Sequence, residues 1–141
     1  MKTPIRTLWA FMLVTSLLWV ACGDDKEDPC VSGKGGAVDL MLFPQHHGEA
    51  IPGIPNYVDS AFIKFNTREF PGDNASKYDL IITGQVGSDS VLVEGLKCGD
   101  YFIFMTGFDT SIAERVKGGI PYTIQEGASG KKNVIVPVTE D

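Results

Sequence analysis

Seven short runs rich in β-branched and aromatic residues, at 37–43, 61–67, 78–83, 90–94, 101–106, 122–125 and 133–138, occupy most of the chain after its N-terminal segment. Gly, Pro, Asn and Asp separate them. Branched and aromatic side chains suit a pleated, half-buried surface, and the intervening residues end a strand or turn it. Outside the N-terminal apolar stretch, no segment keeps the i, i+3, i+4, i+7 spacing of an amphipathic helix over three turns. The expectation is one all-β domain, a single antiparallel seven-stranded β-sandwich. In the second run Ala61, Ile63 and Phe65 share one face, and Phe62, Lys64 and Asn66 share the other. The run from Tyr101 to Met105 lacks such alternation, as a central strand covered on both sides would.

The N-terminal segment has a different character. Lys2 and Arg6 precede an apolar run at 8–20 that closes on Ala21, the layout of a secretory signal peptide. A spanning helix wants about 20 apolar residues, whereas this run is shorter and broken by Thr15 and Ser16. Trp19-Val20-Ala21-Cys22 resembles the lipobox of bacterial lipoproteins, with Trp19 where Leu is commonest. The resemblance implies that Cys22 is acylated and becomes the mature N-terminus, with enough acyl chains for stable anchoring. The acidic stretch Gly23-Asp24-Asp25-Lys26-Glu27-Asp28 is similar to the signal by which some Gram-negative bacteria display lipoproteins on the cell surface. Gly23, in place of Asp after the cysteine, argues against retention at the inner membrane. The expected organisation is a signal peptide at 1–21, a lipidated acidic tether at 22–34 and a β-sandwich at 35–141. The expected location is the outer membrane, lipid-anchored and facing the exterior.

Loss of Lys2 and Arg6 with the signal changes the balance from 12 basic against 18 acidic residues to 10 against 18. Such a surface repels nucleic acid, and Lys131-Lys132 is the largest basic cluster set against it. With Cys22 assigned to lipid, Cys30 and Cys98 remain as an even pair in an oxidising compartment, and a disulfide is expected. Two free thiols or a metal-binding pair are the alternatives.

The stretch Leu96-Lys97-Cys98-Gly99-Asp100-Tyr101 gives a strand end, a turn with Gly99 free to take positive φ, and a returning strand opened by Tyr101. Leu96 and Tyr101 can then close one end of the core. The pattern resembles the Leu-x-x-Gly-x-Tyr hairpin of carboxypeptidase regulatory-like, prealbumin-like (Ig-like) sandwich domains, and strand order over 36–139 is similar. Such domains serve as stalks, spacers or binding modules. The resemblance stops short of their specialised relatives. Lys34, Lys64 and Asn133 show no pairing motif for an isopeptide bond, and the ending Val138-Thr139-Glu140-Asp141 is not the Tyr-Arg-Gly-Ser of transthyretin-like hydrolases.

Few residues offer chemistry. His46, His47 and Glu49 are two imidazoles and a carboxylate after Pro44, fewer than the four ligands of a structural zinc site, and a solvated loop is expected there. No metal, cofactor or catalytic residue is expected, and no nucleophile elbow, P-loop or dinucleotide fingerprint occurs. Ile51, Ile54 and Tyr57 in a Pro/Gly-rich loop either contact a partner or fold back over the sandwich end. Asp59-Ser60-Ala61 and Asp89-Ser90-Val91 resemble a short O-glycosylation acceptor pattern, which would place glycans on Ser60 and Ser90. The function expected is a non-enzymatic binding or structural module, with a surface protein or glycan as partner. The alternatives are a small hydrolase or metal-dependent enzyme using His46, His47 and Glu49, and an assembly subunit pairing through 134–138.

Overall fold

A computed structural model describes residues 30–140. The lipobox, Cys22 and the acidic stretch lie outside the described residues. Among the described residues nine strands run in chain order as β1 (Lys34–His46), β2 (Glu49–Ala50), β3 (Ser60–Phe65), β4 (Leu80–Thr83), β5 (Val91–Leu96), β6 (Gly99–Asp109), β7 (Glu114–Ile124), β8 (Gly130–Pro137) and β9 (Thr139–Glu140). A single 3-10 turn, Ala75–Lys77, capped by the Asn74 side chain, interrupts them. All seven expected runs contribute strands. The two additions, β2 and β9, are two residues each, too short for any periodicity to register.

The strands form two sheets. In one, β1 lies between β5 and β8, and β2 extends the pairing at the far end of β1. In the other the order is β4-β3-β6-β7-β9. The expectation of an antiparallel sandwich is corrected at one ladder, since β1 and β8 run parallel from Val38↔Gly130 to Gln45↔Pro137. The hairpin expected at 96–101 is corrected as well. β5 and β6 belong to different sheets, so the turn between them is a corner that carries the chain across the sandwich.

Between the sheets lies the main core, built by alternation. Val38, Leu40 and Leu42 of β1, Val91 and Val93 of β5, and Val134 and Val136 of β8 face Ala61, Ile63, Tyr101, Ile103 and Met105 of the other sheet. The second face of β6 is covered too, as its unbroken apolar pattern implied. Phe102 and Phe104 pack with Tyr78 and Phe62 on the outer side, and the ring of Phe70 lies 5.5 and 5.4 Å from theirs although Phe70 is itself exposed.

The 96–101 corner fastens the start of the domain. Cys30 and Cys98 form a disulfide with Cα atoms 4.8 Å apart. Gly99 takes φ 128°, and a side chain there would meet the Ser32 backbone nitrogen at 2.6 Å, so only glycine fits. Tyr101, fully buried, donates its hydroxyl to Lys97 O at 2.6 Å and accepts from Gly33 N at 3.0 Å. A buried tyrosine tying a corner to backbone a few residues upstream is a device known from sandwich domains.

Candidate functional site

At the opposite end of β1 the strand's period of two decides what is buried. Val38, Leu40, Leu42, Pro44 and His46 all face inward. The solvated loop expected after Pro44 is therefore corrected, because β1 continues through the proline beside β8 and His46 is only 3% exposed. Pro44 lacks an N–H but still serves the fold, its carbonyl accepting from Ile51 N at 3.1 Å.

His46 pairs with Glu49 across a two-residue loop in which His47 has φ 50° and Gly48 φ 85°. Two positive φ values in succession define the tight hairpin turn that favours Asn-Gly, so His47 occupies a position where asparagine is the easier choice. Neighbouring residues of a strand point to opposite faces. The left-handed backbone of His47 breaks that rule and stacks its ring on His46, with centroids 4.0 Å apart and planes at 24°.

Two carboxylates flank His46. Asp109, the last residue of β6, places Oδ2 2.7 Å from His46 Nδ1, and its Oδ1 accepts from Ser111 N at 2.8 Å and Ser111 Oγ at 2.6 Å. Those donors, the Ser111 hydroxyl first and the imidazole next, hold the Asp109 carboxyl down to about 2. In turn Asp109 foremost, then Glu140, raises the His46 pKa against the opposing effect of burial. Glu140 is positioned by pairing of β9 with β7 at Val116. Its carboxyl is lowered by its own backbone N–H first and by His46 as well. Glu140 Oε2 lies 3.3 Å from His46 Nε2, yet the buried Nε2 makes no hydrogen bond.

His46, His47 and Glu140 each bring one ligand-capable atom within 4.8 Å of the others. Glu49, the carboxylate of the alternative enzyme reading, stands outside that group and lines the adjoining cleft of about 370 Å³ with Asp109, Ser111 and Ile112. The arrangement is not a nucleophile relay. The Ser111 hydroxyl is committed to Asp109, and Nε2 faces a carboxylate where a relay would place a hydroxyl.

Beside this cleft Asp59 is 2% exposed, and neither carboxylate oxygen has a hydrogen-bond partner. Burial, aided by Asp89, raises its pKa to about 7. Ile51, one of the residues expected to offer a partner contact, instead packs in the core at 3% exposure. Ile54 and Tyr57 close a small turn on each other, and Tyr57 stays exposed, stacked on Phe108 at 4.7 Å with the Arg115 guanidinium 5.3 Å above its ring. Ser60 is half-buried within β3 between β4 and β6. Ser90, half-buried just before β5, is held by Ser88, whose hydroxyl donates to Ser90 O at 2.9 Å.

Asp109, Glu140 and Asp59 carried no sequence signal of comparable weight. Only the Asp109-Thr110-Ser111 spacing, typical of an aspartate accepting from backbone two residues on, marked one of them. Comparison with protein-family profiles, with characterised proteins and with solved structures finds no match for this chain.

Proposed function

We propose that this chain is a lipid-anchored protein of the bacterial outer membrane surface, in which a prealbumin-like sandwich acts as a non-enzymatic binding module. In this reading residues 1–21 are a cleaved signal, Cys22 carries the acyl chains, and the tether, expected over 22–34, is shortened to 22–29, because the disulfide fastens Cys30 to the domain and β1 starts at Lys34. A surface protein or glycan is the partner. The β5-β1-β8 and β4-β3-β6-β7 strand orders, with one parallel ladder between β1 and β8, support the prealbumin-like assignment.

The observation that carries the proposal is the polarity of the domain. Cys22 precedes Cys30 by eight residues, and the disulfide holds Cys30 at the β5–β6 corner. From that end β1 runs 13 residues to His46, roughly 40 Å at the usual strand rise. In this reading a tether attached at one end leaves the cleft of His46, His47 and Ile112 at the end farther from the anchor, where a partner can reach it. Tyr57 and Ile112 supply exposed apolar surface at that end.

The anchor is tested by Cys22→Ala. Wild type sediments with outer membrane and yields an acylated N-terminal peptide by mass spectrometry, and the variant becomes soluble. A variant that stays membrane-bound overturns the anchor. The module is tested by cross-linking on intact cells, where Ile112→Asp abolishes the partner adduct and Lys131→Glu preserves it. The reverse pattern overturns the assignment of the distal end.

A further inference from the structure

We propose that His46, His47 and Glu140 form a binding site for a divalent transition-metal ion of the zinc class, with Asp109 orienting His46 from behind. Four independent features converge on it. First, the ionised Asp109 carboxylate can only accept, so the 2.7 Å contact places a proton on His46 Nδ1. In the neutral ring that metal binding requires, Nε2 then carries the lone pair, the arrangement by which a carboxylate prepares a metal-binding histidine. Second, that Nε2 is buried without a hydrogen bond. Glu140 Oε2 approaches it at 3.3 Å as an ion-pair contact without hydrogen-bond alignment, so the atom lacks the directed partner that a buried nitrogen ordinarily has.

Third, the spacing fits. Zinc bonds of about 2.0–2.1 Å imply a tetrahedral edge of roughly 3.3–3.4 Å, and His46 Nε2 lies 3.3 Å from Glu140 Oε2. The exposed His47 brings a nitrogen within 4.8 Å and must turn out of its stack on His46 to aim it at the same ion. Fourth, the left-handed backbone of His47 places two adjacent imidazoles on one side of the hairpin, where ordinary strand alternation would part them. Two imidazoles and one carboxylate suit a borderline cation such as Zn²⁺ and are a poor set for Ca²⁺ or Mg²⁺, which take oxygen ligands. A three-ligand set leaves a fourth position for water or for a donor from another molecule. The site does not depend on the anchored-module reading and would stand if Cys22 proved unmodified.

The test uses the full chain, purified in detergent and stripped with EDTA, titrated with Zn²⁺ in competition with a chromogenic chelator. One Zn²⁺ per chain is expected. Loss of a direct ligand in His47→Asn or Glu140→Gln weakens binding at least as much as loss of the orienting carboxylate in Asp109→Asn, which is expected to cost about 10- to 100-fold. His47→Asn keeps the hairpin, because Asn-Gly is the preferred turn pair, so lost binding cannot be ascribed to misfolding. Zn²⁺ should raise the thermal midpoint of wild type and leave that of His47→Asn unchanged. Binding that is absent, or equally strong in His47→Asn and Glu140→Gln, overturns the site. So does nitrogen NMR showing His46 protonated on both nitrogens in the presence of excess Zn²⁺, which would make the cluster an ion triad.

Discussion

The two ends of this sandwich are built to opposite standards. At the corner end, where residue 30 enters, polar groups are matched. Lys97 N donates to Gly33 O at 2.9 Å, Ser32 and Asn66 exchange hydrogen bonds, and the Tyr101 hydroxyl is tied to backbone on two sides. The histidine end leaves His46 Nε2 and both Asp59 oxygens without hydrogen bonds. It also holds His47, Asn56 and Ala113, three of the four non-glycine residues with positive φ among the described residues. Unmatched polar groups and uncommon backbone conformations persist only where surrounding structure enforces them, and they gather at sites of function. The contrast lies in how completely each end matches its polar groups, nearly so at the corner and incompletely around His46 and Asp59.

The most severe way to break the comparison is to cut the corner. Cys98→Ser is expected to cost about 4 kcal/mol from the 68-residue separation on the chain-entropy account, read by urea unfolding under non-reducing conditions. Tyr101→Phe keeps the packed ring but strands the Lys97 carbonyl and the Gly33 N–H, and a loss of about 1–3 kcal/mol is expected in the same assay. A neutral result for either would remove the claim that this end holds the domain together.

Substitutions at the histidine end should move stability little or upward. Asp59 keeps its proton to about 7 when folded but releases it near 3.8 when unfolded. Folding therefore takes up a proton between those values, and this group's contribution to stability falls as pH rises through that window. Asp59→Asn is expected to be about 1–3 kcal/mol more stable than wild type at pH 8 and to lose that advantage by pH 4, measured by urea melts at both pH values. The smallest effect is expected for the metal-free His47→Asn protein, within about 0.5 kcal/mol of wild type, since the residue is exposed and the turn prefers asparagine. Destabilisation comparable to Tyr101→Phe would show that His47 is a structural residue.

Much of the architecture was legible from residues alone. Each apolar run became a strand, Ala61, Ile63 and Phe65 faced one way, and Tyr101 to Met105 proved covered on both sides. The pairing of Cys30 with Cys98 was legible once Cys22 was set aside as the expected lipid carrier. The site was not. Pro44 read as the end of a strand because proline interrupts a ladder, and ending β1 there hid the fact that His46 continues the inward series begun at Val38. The alternative reading grouped Glu49 with the two histidines because it is near in sequence, but it stands outside the group of His46, His47 and Glu140.

The chain by itself determined that strands form, where they turn and which faces are apolar, since these follow from local side-chain shape and a period of two. Only tertiary structure decided that β5 and β6 part into different sheets, that β8 runs parallel to β1, and that β6 and β9 deliver Asp109 and Glu140 to His46. Those contacts join residues separated by 63 and 94 positions. No local propensity encodes such a separation, because it arises from how two finished sheets close over a shared core.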